Sequence, residues 1–533
     1  MFCSVLSAAI SGVEAVPVWV EADVSDGMPV FSMVGHVTAQ VKESADRVRT
    51  ALRNLNIFLP PKRITINLAP GDLRKEGSRF DLPIAAAVLE ALGRIPQEAL
   101  EGVMVLGELH LDGRVEKVTG VLPSVLNARQ RGCRACVIPS DNLREGKAVS
   151  GVQVFGIKNL RELITYCRGE KDGGQSPVAV EQMAGKRAEE GILEARAGGV
   201  WADKNMNRRI PDFDEIKGQE TVKRAAMIAA AGFHNLLLSG PPGSGKSMAA
   251  QRIPGILPEM SRDECLEVTK IYSVAGLLPG DVPILTQRPY RAPHYTVSPQ
   301  ALCGGGRIPG PGEGTLAHRG VLFLDELPEM AGRTLELLRQ PLEEYRIVIS
   351  RTGGTYHFPA RFLLVAAMNS CPCGCYPDIS RCTCTPREIL AYRQRVSQPI
   401  LDRIDLRVEV PASSYQDLRK NDRADGTSEA IRRRVSAACE AQRERFGPEG
   451  ILFNSEIPAG DLDKFCPLTG EGSRLMEAAF RSLKLSARGY HRILRVARTI
   501  ADLEGADTVS EAHVSEAVCY RQQNSSVLPA EYS

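Results

Sequence analysis

The sequence predicts an α/β multidomain protein with an N-terminal α+β domain, a central parallel-sheet domain and an all-helical C-terminal region. Three observations predict it. The apolar run Leu236-Leu-Leu238 leads into Gly240-Pro-Pro-Gly-Ser-Gly-Lys-Ser247 and then into a helical stretch from Met248 to Arg252. Val321-Leu-Phe-Leu324 is a second buried strand, and two carboxylates, Asp325 and Glu326, stand at its end. Beyond residue 412 only helical periodicity remains.

At 533 residues the chain is too long for one ordinary core, so about two to four domains are expected. Its 66 Lys and Arg against 64 Asp and Glu give a net charge of +2, which leaves no global field to attract nucleic acid. No run approaches a membrane span, and Met1 to Ala9 lacks the basic start of a signal peptide. A cytoplasmic protein with no membrane partner is the expectation. Of 14 cysteines, five fall between Cys371 and Cys384, a clustering that points to metal rather than to disulfides.

Residues 1–168 alternate β-rich runs (Val16 to Val24, Arg63 to Leu68, Val103 to Leu106, Ala135 to Ile138, Val152 to Phe155) with helical segments (Ala39 to Leu55, Asp81 to Leu92, Val121 to Arg131). Residues 169–205, with Lys171-Asp-Gly-Gly-Gln-Ser-Pro177, read as a linker. Residues 206–412 carry the glycine loop and a third strand, Phe362 to Ala367. Residues 413–533 form the helical region, with Ser428, Ser486 and Ser510 as expected N-caps.

The loop Gly240, Pro241, Pro242, Gly243, Ser244, Gly245, Lys246, Ser247 has the strand–loop–helix context of a P-loop. Its glycines let backbone N–H groups turn toward phosphates at a helix N-terminus. Lys246 is expected to reach the β- and γ-phosphates of ATP, and Ser247 and Asp325 to hold Mg²⁺. Glu326 is expected to polarise the attacking water. Asn369, after the third strand, suits a γ-phosphate contact, although an ordinary Asx turn accounts for it equally. Arg403, in Leu401-Asp-Arg-Ile-Asp405, offers a fixed charge for the transition state, typically from a neighbouring subunit. The basic helix containing Arg488, Arg492, Arg495 and Arg498 is either a solvated face or the source of an arginine returned to the nucleotide.

Cys371, Cys373, Cys382 and Cys384 form two C-x-C pairs on one loop, sufficient for a tetrahedral structural zinc site with Cys375 spare. The alternative is a set of reduced thiols without metal. Tyr345 to Phe358 reads as a β-hairpin with a Gly-Gly turn, where Arg351 can pair with phosphates and Tyr356 can stack on a base or simply pack. Arg307, in the loop Gly304 to Gly312, is a second candidate for nucleic-acid contact. Solvated loop arginines explain Arg351 and Arg307 equally well.

The order P-loop, Asp325-Glu326, Asn369, Arg403, Arg488 and an all-helical segment resembles an AAA+ ATPase with its lid. More narrowly, Arg291-Ala-Pro-His294, Gly304-Gly-Gly306, Gly320 to Glu329, the cysteine cluster, Leu401 to Leu406 and the Arg488 helix resemble the ComM/YifB family of magnesium-chelatase-like proteins, over nearly the whole chain. The resemblance implies a homohexameric, ATP-driven helicase or branch-migration motor on single-stranded and branched DNA, working with recombination proteins in natural transformation. It also implies that Asn369 is the sensor 1 residue, Arg403 an arginine finger supplied in trans, and Arg488 the sensor 2 residue. The chain departs from the family pattern at Ser370, Gln398 and Tyr272. A protein remodeller using Tyr272-Ser-Val-Ala-Gly276 as a gripping loop, and a magnesium-chelatase ATPase subunit, are the rival readings.

Within the N-terminal domain, Pro70 to Gly77 with Asp81-Leu-Pro-Ile84, and Gly107 to Val115 with Gly120, resemble the Lon proteolytic domain (ribosomal S5 domain 2-like). The resemblance puts Arg79 at the place of the nucleophilic serine and Ser124 at that of the lysine, with Ser78 one step away. Without that hydroxyl–amine pair, the expectation is an inactive scaffold.

Overall fold

Period-two alternation decides what each strand of this chain buries. In β1 (Phe2–Ser11), Cys3, Val5 and Ala9 join the core on one face of a sheet while Leu6 and Ala8 join the core on the other. The computed structural model describes residues 1–169, 210–279, 282–307, 309–351, 354–412 and 426–522. The linker read at 169–205 therefore lies outside the described residues except for Gly169.

β1 turns at Gly12, where φ is +64°, and pairs antiparallel along its whole length with β2 (Glu14–Ser25). With β3 (Phe31–Val34), β4 (Arg63–Ala69), β5 (Val103–Val105), β8 (Ala135–Pro139) and β9 (Gln153–Ile157), they form a mixed seven-stranded sheet of order β3-β4-β2-β1-β5-β8-β9. The short hairpin β6 (Glu108–Leu109) and β7 (Val115–Glu116) stands apart. The helix Asp81–Ala91, buried along its length, covers one face, and Val121–Gln130 covers the other.

The second sheet is wholly parallel. It contains β10 (Leu236–Ser239), β11 (Tyr290–Arg291), β12 (Val321–Leu324), β15 (Leu363–Met368) and β16 (Leu406–Glu409), in the order β11-β12-β15-β10-β16. Leu236, Leu238, Phe323, Val365 and Val408 face the helix Glu220–Gly232 and the C-terminal helices, while Leu237, Leu322, Leu324, Leu364 and Ala366 face an opposite core. β13 (Arg346–Arg351) and β14 (Gly354–Pro359) form a separate hairpin; the Thr352-Gly353 turn lies outside the described residues.

The helices Ser428–Phe446, Gly470–Ser482, Ala487–Leu503 and Glu511–Gln522 share one continuous core with the parallel sheet. Ser486 caps its helix as expected, accepting from Gly489 N at 3.2 Å. At the earlier helix the cap is Thr427, and Ser428 instead accepts from the Phe213 amide at 2.8 Å. No described helix is long and apolar enough to cross a membrane.

The helical region is fixed to the sheet by buried charge. Arg492 pairs with Asp405, which also accepts from Asn235 N at 3.0 Å and lies 3.7 Å from His234. Burial pushes the Asp405 carboxyl upward, but Arg492, His234 and the Asn235 amide together hold it well below 3.8. A depressed carboxylate contributes stability that is complete above the unfolded value and lost as pH falls through the folded one. The expected outcome is a thermal midpoint that falls steeply below about pH 4, with Asp405→Asn lower at neutral pH and flatter across that acid range; scanning calorimetry from pH 7 to 3 checks it.

The two sheets meet along the helix Arg262–Val274. Gly120 N donates to Ser273 O at 3.0 Å, the Ser273 hydroxyl donates to Glu145, and Lys270 pairs with Glu14. Val13, beside the β1–β2 turn, is buried in the core of the parallel-sheet domain.

Candidate ATP site

Three strand ends converge at the carboxyl edge of the parallel sheet. Because β15 lies between β10 and β12, Asn369 emerges between the glycine loop and Asp325. Ligands of open parallel sheets bind at this edge. The loop's form follows from its residues. Gly243 and Gly245 take φ of +75° and +94°, conformations that favour glycine. A Cβ on Gly240 would lie 2.2 Å from the Val410 carbonyl oxygen, so the loop starts flush against the chain leaving β16. Pro241 and Pro242 follow, and Ser244 is buried with its N–H donated to Pro241 O at 3.3 Å.

Lys246 is buried, and its ammonium donates to the carbonyls of Gly240 and Pro241, both at 2.8 Å, and to Asn369 Oδ1 at 3.2 Å. Burial lowers its pKa, with Asp325 pulling the other way. Triphosphate oxygens can replace the two carbonyl acceptors. Ser247 Oγ donates to Asp325 Oδ2 at 2.7 Å, a hydroxyl and a carboxylate converging as Mg²⁺ requires when phosphates and waters complete its octahedron. Glu326 sits next in the left-handed region, φ +51° and ψ +44°, a conformation worth about 1–3 kcal/mol of strain for a non-glycine residue. That turn sends its carboxylate outward, exposed, while its amide is held by Asp325 Oδ1 at 2.9 Å.

Tyr392, on the helix Pro386–Gln394, escaped the sequence reading. Its phenol, pushed up to about 12 by burial and by nearby Glu329, also meets the Asn369 backbone. No local pattern marks it, since a tyrosine in an amphipathic helix reads as core.

Arg403 and Arg488 stand elsewhere. Leu406 pairs with Leu236 at the amino edge of the sheet, and Arg403 precedes it, its carbonyl accepting from Asn235 Nδ2 at 3.0 Å. The Arg403 guanidinium is buried against Glu343 at 2.5 Å, and Arg488, 75% exposed, lies 3.9 Å from the same carboxylate. The two arginines therefore share one patch, at the end of the sheet opposite their own P-loop. Glu343, which gathers them, was not singled out in the sequence because nothing local distinguishes a glutamate on a short surface helix.

The cysteine loop is adjacent to the P-loop. The Sγ atoms of Cys371, Cys373, Cys382 and Cys384 all lie within 4.8 Å of one another. Separations of 3.4, 3.6 and 3.8 Å for three of the pairs approach the edge of a thiolate tetrahedron with metal–sulfur bonds of about 2.3 Å. Cys375 instead turns its thiol to the Cys373 carbonyl at 3.7 Å.

Arg351 is exposed at the end of β13, and Tyr356 packs partly into the domain core. A side chain at Gly305 would lie 3.7 Å from Arg351 Nη2, so the hairpin and the loop bearing exposed Arg307 lie side by side. Tyr272 corrects one sequence expectation. It is 1% exposed within the helix Arg262–Val274, its hydroxyl donating to Leu316 O at 3.1 Å, and so cannot grip a passing chain.

In the N-terminal domain, Arg79 Nη2 donates to Ser124 Oγ at 3.2 Å, and Ser124 donates to Gly120 O at 2.7 Å. The two positions facing each other are thus a guanidinium and a hydroxyl, with neither a nucleophile at the first nor an amine at the second. Burial lowers Arg79 to about 10, opposed by Glu145. Ser78 points away, to Glu108.

Family models described as "Magnesium chelatase, subunit ChlI", "Subunit ChlI of Mg-chelatase" and "Magnesium chelatase, subunit ChlI C-terminal" match residues 212–418, 20–142 and 425–521. The chain is 42% identical to the competence protein ComM of Haemophilus influenzae over 519 residues, 97% of each chain. It is 40% identical to YifB of Escherichia coli over 513 residues, 96% of each. Lon protease 2 of Bacillus subtilis is 27% identical over 144 residues, 27% of this chain and 26% of that one.

Proposed function

Since the chain belongs to the ComM and YifB family of magnesium-chelatase-like AAA+ ATPases, we propose that it is a hexameric motor that hydrolyses ATP to move along single-stranded and branched DNA. The observation that carries the ATPase half is the convergence of Lys246, Ser247, Asp325, Glu326 and Asn369 on three adjacent strand ends. Lys246 binds the β- and γ-phosphates, Ser247 and Asp325 hold Mg²⁺, Glu326 polarises the attacking water, and Asn369 orients the γ-phosphate. Arg403 and Arg488 serve the neighbouring subunit's nucleotide, because in their own subunit they stand at the far edge of the sheet. A ring follows from that need. Cys371, Cys373, Cys382 and Cys384 hold a structural zinc.

The DNA half is supported by full-length similarity to a competence protein and by the adjacent hairpin and glycine loop that carry Arg351 and Arg307. Burial of Tyr272 weakens the rival reading of a polypeptide-threading remodeller. Steady-state ATPase measured with single-stranded and forked DNA, beside a strand-displacement assay, tests the proposal. We expect stimulation by both DNAs and displacement that requires ATP. Stimulation by an unfolded protein, or by a porphyrin-metallation partner, with no response to DNA would transfer the motor to one of the rival readings. Arg351→Ala should weaken DNA binding with a shallower salt dependence while leaving basal ATPase unchanged.

A further inference from the structure

The cysteine loop touches the nucleotide loop at two points. Gly374 directly follows Cys373 of the cluster, and a Cβ there would meet Pro242 Cδ at 2.4 Å and Cγ at 2.6 Å. Its φ is +78°, so glycine is required both by the turn and by the contact. The second point is upstream. Cys371 is fully buried and follows, after Ser370, Asn369, whose side-chain oxygen accepts from Lys246.

The loop's own fastenings are local hydrogen bonds and one ring contact. Gly374 N donates to Cys371 O at 3.0 Å, Tyr376 N to Cys371 Sγ at 3.4 Å, and Cys382 N to Asp378 O at 2.8 Å. Arg393 lies over the Tyr376 ring at 5.6 Å and donates to Ser370 O at 3.3 Å. Apart from Cys371, the cysteines are only partly buried, and Ile379 at the loop's tip is 85% exposed. Such a loop has little core of its own to keep Gly374 on Pro242. Four thiolates around one ion would supply what packing does not, by cross-linking residues 371–373 to 382–384.

We propose that the four-cysteine metal site positions the P-loop, so that nucleotide binding depends on metal occupancy. This rests on reading the cluster as a zinc site. With Zn²⁺ bound, the knuckle at Cys373-Gly374 forms a fixed wall behind Pro242, and Asn369 is held where it meets Lys246. Without it, both supports of the loop relax together, and the ordering cost falls on the incoming triphosphate.

Purified full-length protein should contain about one zinc per chain by atomic emission. Binding of a fluorescent ATP analogue is then measured on the native, chelator-stripped and zinc-restored protein, with circular dichroism to verify folding. We expect affinity to fall about tenfold on stripping and to recover with Zn²⁺. Gly374→Ala keeps all four thiolates. It should retain zinc yet bind nucleotide about as weakly as the stripped protein. Zinc-loaded Gly374→Ala binding as tightly as wild type, or a folded stripped protein doing so, overturns the positioning role while leaving the zinc reading intact. Absence of zinc from the wild type overturns both, and a zinc-loaded wild type that binds no nucleotide overturns the proposed ATPase instead.

Discussion

Glu326→Gln leaves ATP bound and slows its hydrolysis by about two to four orders of magnitude, the range a positioned general base supplies. The glutamine keeps the volume and the left-handed turn at φ +51° but cannot accept the water's proton. Lys246, Ser247 and Asp325 are untouched by the change, so equilibrium binding of a fluorescent nucleotide should match the wild type while phosphate release nearly stops. Loss of binding and turnover together would show instead that Glu326 shapes the site. Hydrolysis at the wild-type rate would remove it from the chemistry.

Arg403→Ala also abolishes turnover, by about a thousandfold or more, and its distinguishing result comes from mixing. An Arg403→Ala subunit keeps an intact Glu326, and a Glu326→Gln subunit keeps an intact Arg403. If the guanidinium acts on the neighbour, rings assembled from the two inactive proteins regain ATPase, because some interfaces join the good half of each. If it acts within its own chain, no mixture recovers. The same experiment with Arg488→Ala asks whether the second arginine sharing Glu343 crosses the interface too, and we expect that it does. Recovery should depend on the mixing ratio, with its maximum near equal proportions.

The nucleotide site was legible because its signals are short and consecutive. A four-residue apolar strand followed by Gly240 to Ser247, or by Asp325-Glu326, marks the element and the polar residues at its end without knowledge of the rest. The cysteine cluster was legible for the same reason, its four thiols lying on one brief loop. β1 was not, since Ser7-Ala-Ala9 carry little strand preference and acquire it from a ten-residue register with β2. The placement of Arg488 was hidden for a different reason. Which edge of the sheet the C-terminal helices occupy is decided by contacts such as Arg492 with Asp405 and His234 with Thr499, which lie 87 and 265 residues apart in the chain. Helical periodicity shows that a face is buried but not against what. Tyr272 misled because Tyr-Ser-Val-Ala-Gly has the composition of a loop, whereas its neighbours continue a helix capped at Ser261.

The hydrogen bond between Arg79 and Ser124 also ties the fates of the two positions together. A serine at the first position alone would face another serine with no base beside it. A lysine at the second alone would force two cations into one buried space beside Glu145. Installing a hydroxyl–amine pair therefore takes two exchanges at once, and either single exchange disturbs the residues around Gly120 and Glu145 that grip Ser273. Arg79 and Ser124 both donate to the Gly120 carbonyl, so the pair that stands in place of a hydroxyl and an amine also braces the joint to the parallel-sheet domain.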